Sequence, residues 1–155
     1  MNETIEMRRA GPEDAGAIRD LAQEAYAKWV PRIGRKPMPM VADYDEAVKH
    51  HRFDLLYVDG ALAALIETVD EGDQLLIENV AVRPAFQGRG LGSRLMWHAE
   101  AIAWSLCRPR LRLYTNKLMA ENVALYLKLG YRVDREAEGP PGIFRVHMSK
   151  ALITP

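Results

Sequence analysis

The chain has 155 residues, with 21 lysines and arginines balanced by 21 aspartates and glutamates, and a single cysteine, Cys107. That length suits one domain with a real core, the charge balance leaves no field drawing the chain to nucleic acid or an anionic membrane, and one cysteine excludes an internal disulfide. No apolar run is long enough to cross a bilayer, and the start, Met1-Asn2-Glu3-Thr4, is too polar and acidic for a signal peptide, so the expectation is a soluble cytoplasmic protein in a reducing compartment.

In chain order, Thr4 to Arg9 reads as a short first strand. Gly11-Pro12-Glu13-Asp14 signals a helix start, because proline suits the first turn and the acids complement the dipole. Ile18, Leu21, Ala22, Ala25, Tyr26 and Trp29 then form one apolar stripe, which Pro31 and Gly34 are expected to end. Pro31 to Tyr44 reads as an irregular excursion, followed by a second short helix around Asp43 to His51. Phe53 to Val58 and Ala61 to Val69 read as strands joined by Asp59-Gly60, a strong hairpin signal. After the turn Glu71-Gly72-Asp73 comes a long strand from Gln74 to Val82.

Leu91, Leu95, Ala99, Ile102, Ala103 and Leu106 recur at three- and four-residue steps, which predicts a helix. Trp97 and Trp104 fall within that apolar spacing and read as packing residues, and Cys107 at its end as a small buried hydrophobe. Arg110 to Thr115 alternates like a strand, and Met119 to Leu129 reads as a helix closed by Gly130. Tyr131 to Arg135 and Gly142 to Lys150 are the last strands, the second with Phe144, Val146 and Met148 on one face and Arg145, His147 and Ser149 on the other. There is no repeat, low-complexity tract or linker, so residues 1–155 are expected to form a single domain. The order β-α-α-β-β-β-α-β-α-β-β is α+β, with one helical crossover after the long strand.

The informative stretch is Val80 to His98. Pro84 stops the buried strand, and Gln87-Gly88-Arg89-Gly90-Leu91-Gly92 leads into the helix. A glycine-rich turn at the positive end of a helix dipole presents backbone N–H groups to a phosphate, and Arg89 adds a charge beside it. It is no P-loop, since Gly92 is followed by Ser93-Arg94 instead of Lys and then Ser or Thr. The dinucleotide fingerprint fits poorly, for the strand lies far from the chain start and lacks the acidic partner.

Gln-x-x-Gly-x-Gly, met by Gln87, Gly90 and Gly92 with Val82-Arg83-Pro84 just upstream, resembles the pyrophosphate loop of the GNAT superfamily of acetyl-coenzyme A-dependent N-acetyltransferases. Glu121-Asn122-Val123-Ala124-Leu125-Tyr126-Leu127-Lys128-Leu129-Gly130-Tyr131 resembles that family's late helix. The resemblance runs end to end and implies one GNAT-like domain, a mixed, mostly antiparallel central sheet of about seven strands flanked by about four helices. It also implies acetyl-coenzyme A as cosubstrate. Cofactor contacts are expected from Val80, Ala81 and Val82 along the pantetheine arm, and from Gln87, Gly88, Arg89, Gly90, Leu91, Gly92 and Ser93 at the pyrophosphate. Tyr126 matches the tyrosine that acts as general acid near the thioester sulfur. Many relatives carry a cofactor-contacting asparagine seven residues before it; that position is Met119 here, flanked by Asn116 and Asn122, and either asparagine could serve. The excursion before the second helix commonly walls the acceptor site.

The implied chemistry is direct acetyl transfer to a primary amine in a ternary complex. An amine must lose a proton before or during attack, and Glu78, interrupting an apolar strand, is the candidate base. A backbone N–H of Val80–Val82 would hold the oxyanion. The acceptor is a small amine or a peptide N-terminus, and the protein a monomer or homodimer. The alternative is a non-catalytic acyl-coenzyme A-binding or sensing domain. The histidines His50, His51, His98 and His147 lack paired-ligand spacing, so no metal is expected.

Overall fold

A computed structural model describes residues 3–152. Met1 and Asn2, where the polar start was read, lie outside the described residues. The strands are β1 (Ile5–Arg9), β2 (Arg52–Val58), β3 (Ala61–Asp70), β4 (Leu75–Val82), β5 (Arg110–Asn116), β6 (Arg132–Glu138) and β7 (Phe144–Ala151). They form one seven-stranded sheet in the order β1-β2-β3-β4-β5-β7-β6. Among the described residues four helices exceed a single turn: α1 (Ala15–Tyr26), α4 (Tyr44–His50), α5 (Leu91–Ser105) and α6 (Ala120–Lys128), with one-turn segments α2 (Val30–Ile33) and α3 (Met38–Val41) between the first two. Pairing is antiparallel for β1/β2, β2/β3, β5/β7 and β6/β7, and parallel for β4/β5, where α5 makes the crossover that parallel strands require. The α+β, mostly antiparallel arrangement expected from the sequence is the one observed.

The chain divides into two compact units, one of residues up to Thr68 with Asn79–Met96, the other of Val69–Glu78 with Trp97 onward. In the first, β2 and β3 meet through Asp59 and Gly60 at φ 49° and 82°, the left-handed pair that a two-residue hairpin needs. Ile18, Leu21, Ala22, Ala25 and Tyr26 of α1 are buried, as the stripe predicts. Trp29 is buried too, but α1 stops at Tyr26, and a 3-10 turn over Ala27–Trp29 leads into α2. Pro31 therefore ends nothing: it sits in the first turn of α2, where its missing N–H has no partner to lose. Gly34, at φ 83°, closes α2.

In the second unit, Leu111 and Leu113 of β5 and Val146 and Met148 of β7 are buried on one face of the sheet. Arg112 and Tyr114 of β5 and Arg145 and His147 of β7, half-buried, occupy the opposite face by strand alternation. Helix α6 ends in a six-to-one turn, the Tyr131 N–H donating to the Tyr126 carbonyl (3.0 Å) around Gly130 at φ 96°.

Two sequence readings on α5 are corrected. Trp97 and Trp104 are 58% and 49% exposed, because a seven-residue step places both on the face opposite Leu95, Ala99, Ile102 and Ala103. Cys107 is exposed, not buried, and takes the left-handed conformation (φ 58°) that terminates the helix.

Candidate active site

The glycine turn lies in the first unit. Gly88 and Gly90 both adopt φ 78°, where L side chains are strained, and a Cβ built on either meets no atom within 4 Å. The glycines are thus required by backbone shape, and the space over the turn is open. The first helical hydrogen bond of α5 is that of the Arg94 N–H to the Gly90 carbonyl (3.1 Å), so the N–H groups of Leu91, Gly92 and Ser93 precede it and face the helix N-terminus. The Leu91 side chain is core, which leaves only its backbone for a ligand.

Side chains brace the turn. The Gln87 amide donates to the Val82 carbonyl (3.0 Å), and the Lys28 ammonium donates to Gln87 Oε1 (3.1 Å). Arg83 is fixed by an ion pair to Glu24 and a hydrogen bond to the Leu62 carbonyl (2.8 Å). Arg89 pairs with Glu3 (2.9 Å) and stacks over Phe86, so it reaches a phosphate only by exchanging that carboxylate for it. Sequence reasoning missed Lys28, a helix-end lysine that no motif marks.

The end of β4 that carries Val80–Val82 is braced by buried hydroxyls. The Tyr26 hydroxyl donates to Asn79 Oδ1 (2.7 Å) and approaches the Val80 carbonyl (2.9 Å). The Asn79 amide in turn donates to the Tyr44 oxygen (3.2 Å), and the Tyr44 hydroxyl to the Pro39 carbonyl (2.6 Å). A buried asparagine needs such partners, and here they tie α1, α3 and α4 to the strand that carries Val80, Ala81 and Val82. The Ala81 side chain is buried in the core.

The other predicted residues lie in the second unit. Glu78 accepts a hydrogen bond from the Tyr114 hydroxyl (2.8 Å). Desolvation first, and the Glu78 charge second, push the Tyr114 phenol up to about 12. The Arg145 guanidinium lies over the Tyr114 ring, 4.7 Å from its centroid, and the His147 ring centroid is 5.7 Å from that of Tyr114. The structure thus brings Glu78 together with Tyr114, Arg145 and His147. The alternation of β5 and β7 was readable in the sequence, but nothing in it marked these side chains as neighbours of Glu78.

Tyr126, on α6, is half-buried, and its hydroxyl makes no hydrogen bond to any described residue. Desolvation pushes this phenol up to about 12. Asn116 spends its side-chain carbonyl on the Leu118 N–H (2.9 Å), closing the turn before α6. Asn122 donates to the Met119 sulfur (3.7 Å), and Met119 is buried. Met119 therefore packs as a core residue, and both flanking asparagines take part in the turn that seats it. Among the described residues no group of three potential ligands is placed to hold a metal ion, and no helix is long and apolar enough to cross a membrane.

The sequence model of the Acetyltransferase (GNAT) family matches residues 17–131, a span that includes both the glycine turn and Tyr126. The chain belongs to the GNAT acetyltransferase family. Members of this family typically use acetyl-coenzyme A as cosubstrate and act on amine acceptors. Mouse N-alpha-acetyltransferase 80 is 35% identical over 77 residues, 50% of this chain, and the chain covers only 23% of that longer protein. The fold is similar to the PaiA N-acetyltransferase of Thermoplasma acidophilum in complex with coenzyme A (TM-score 0.81, 18% identity, 96% of this chain and 99% of that one). It is also similar to the ribosomal-protein-S18-alanine N-acetyltransferase of Escherichia coli (TM-score 0.80, 20% identity, 98% and 96%). At such identities the GNAT structures speak for the fold alone.

Proposed function

We propose that this GNAT chain transfers the acetyl group of acetyl-coenzyme A directly to a primary amine, with no covalent enzyme intermediate. The observation that carries the reading is the turn in which Gly88 and Gly90 hold left-handed backbone ahead of α5, leaving N–H groups at the positive end of the helix for a pyrophosphate. The family match runs through both compact units, which favours treating residues 1–155 as one catalytic domain. The coenzyme A complex of the Thermoplasma acidophilum enzyme and the name of the mouse relative favour this donor and an amine acceptor.

Each residue then has a defined task. The turn from Gln87 to Ser93 binds the pyrophosphate through backbone N–H groups, and the Val80–Val82 backbone lies along the pantetheine arm and supplies an N–H for the oxyanion. Glu78 takes a proton from the acceptor ammonium, and the freed amine attacks the thioester carbonyl: a C–N bond forms, the nitrogen gives up its second proton to solvent, and the C–S bond breaks. The Tyr126 phenol, held near 12, keeps its proton throughout and donates a hydrogen bond to the charge developing on sulfur. Full transfer would be uphill, because an ordinary thiol has a pKa of about 8.5, so in place of the general-acid transfer that the resemblance implies, Tyr126 stabilises the leaving thiolate by hydrogen bonding and the thiol's proton comes from solvent. Asn116 or Asn122 contacts the cofactor beside it.

Calorimetric titration of acetyl-coenzyme A into the wild type and Gly90→Glu tests the loop, and thiol release over an amine panel with Tyr126→Phe tests the transfer. Micromolar binding lost in Gly90→Glu, with acceptor-dependent thiol release reduced in Tyr126→Phe, is the expected result. Binding that survives Gly90→Glu overturns the loop assignment.

A further inference from the structure

On the sheet face that carries Tyr114, strand alternation gathers Arg110 and Arg112 of β5, Arg132 and Arg135 of β6, and Arg145 of β7. Most of these charges are already answered. Arg112 forms a two-pronged pair with Glu71 (2.6 and 2.8 Å), and Arg110 and Arg132 share Asp134 (3.3 and 3.1 Å). Among the described residues Arg135 and Arg145 have no carboxylate partner.

These two flank His147. Arg135 is its register partner on β6, and Tyr114 its register partner on β5, with the Arg145 guanidinium over the Tyr114 ring. Burial first, then the guanidiniums of Arg135, Arg112 and Arg145, hold the His147 imidazole below its ordinary value against the opposing charge of Asp134. Gly139 makes room for the arrangement: a Cβ there would stand 3.1 Å from the Arg145 Cζ. The unanswered charge therefore lies one tyrosine side chain away from Glu78, whose carboxylate holds the far end of that tyrosine.

We propose that Arg135 and Arg145 bind a carboxylate of the acceptor, so that the amine delivered to Glu78 belongs to a molecule carrying an anionic group close to that amine. The proposal rests on the acetyl-transfer reading above. Guanidinium groups suit the task because their planar donors match a carboxylate, and a ring-stacked Arg145 has little side-chain freedom left to lose. The shared chemistry, an amine beside a carboxylate, is found in a free acidic amino acid and in a peptide with an acidic first residue.

The test is thiol release from acetyl-coenzyme A with two matched acceptor pairs: free aspartate against its diamide, and an Asp-Ala-Ala amide peptide against the Asn-Ala-Ala amide. Wild type, Arg145→Gln, Arg135→Gln, Arg145→Lys and Gly139→Ala are compared after each is shown to be folded by circular dichroism. The expected result is a preference for the carboxylate member of one pair, expressed in KM, that shrinks about tenfold in Arg145→Gln, as befits one charge-assisted hydrogen bond. Arg145→Lys restores part of it, and Gly139→Ala, which displaces the guanidinium, lowers it. The pair that shows the preference identifies the source of the carboxylate. Turnover of both members at equal kcat/KM, or a preference unchanged in Arg145→Gln and Arg135→Gln, overturns the anion site and leaves the transferase standing. If no compound turns over, calorimetric titration of the same compounds in the presence of coenzyme A decides. Carboxylate-dependent binding lost in Arg145→Gln upholds the anion site and removes the transfer reading, and absence of such binding overturns the site as well.

Discussion

The Tyr114 hydroxyl donates to Glu78 Oε1 across 2.8 Å, one residue beyond the backbone register in which Ile77 pairs with Leu113. The parallel ladder is thus continued by a side-chain bond, and the candidate base is held by a donor that stays protonated to about pH 12. General base catalysis is worth about a hundredfold or more, so Glu78→Gln is expected to lower kcat by that order. Tyr114→Phe removes one charge-assisted hydrogen bond, and a fall of about tenfold is expected. Because the residues act as a unit, the double variant should be little slower than Glu78→Gln alone. Steady-state kinetics on all four proteins measures this, and fully additive losses contradict the coupling.

Gly90 and Gly16 separate backbone strain from crowding. A Cβ meets nothing within 4 Å at either position, yet Gly90 holds φ 78° and Gly16 lies within α1. Gly90→Ala is expected to lose about 1 kcal/mol of unfolding free energy through its left-handed backbone. Gly16→Ala is expected to gain roughly 0.5–1 kcal/mol, since alanine limits the unfolded chain without cost in a helix. Denaturant unfolding measures both, and calorimetry should show weakened acetyl-coenzyme A binding in Gly90→Ala only.

The tyrosines give a pH prediction with a definite sign. Burial raises Tyr114 and Tyr126 to about 12 and Tyr131 beyond that range, against about 10 for an unfolded tyrosine. Between those values the folded state holds more protons than the unfolded state, so their contribution is fully present below pH 10 and is lost as pH rises through 12. Phenolate absorbance should show these three still protonated at about pH 11, and Tyr126→Phe should blunt the alkaline loss of stability. Ionisation of all six tyrosines together near pH 10 contradicts it.

Cys107 carries its own prediction. Its thiol is exposed, so it should react stoichiometrically with a thiol reagent without denaturant. At φ 58° it occupies a helix-ending position that glycine fills without strain, and Cys107→Gly should raise unfolding free energy by about 1 kcal/mol. A thermal melt that shifts downward removes this account of the helix end.

What the sequence made legible was whatever a local rule governs. Asp59-Gly60 specified its hairpin, Gly130 its helix end, and the stripe from Ile18 to Trp29 its buried face, because each depends on neighbours along the chain. The crossover and the glycine turn were readable for the same reason. Periodicity misled where hydrophobic spacing continued around a helix: Trp97 and Trp104 fit an apolar pattern yet stand on the outer face, and Cys107 followed them into the wrong class. Contacts set by register lay outside its reach. Tyr114 meets Glu78, and Arg135 stands beside His147, only through strand pairing between segments distant in the chain, with a bulge between Val133 and Arg135 setting the last of these.

The placement of the three indoles decides what light emission reports. Trp29, in the first compact unit, is 5% exposed, whereas Trp97 and Trp104, in the second, already stand about half in water. Unfolding transfers only the first of them fully from an apolar to an aqueous setting. A fluorescence melt of this protein therefore weighs the half that holds the glycine turn more heavily than the half that holds Glu78 and Tyr126.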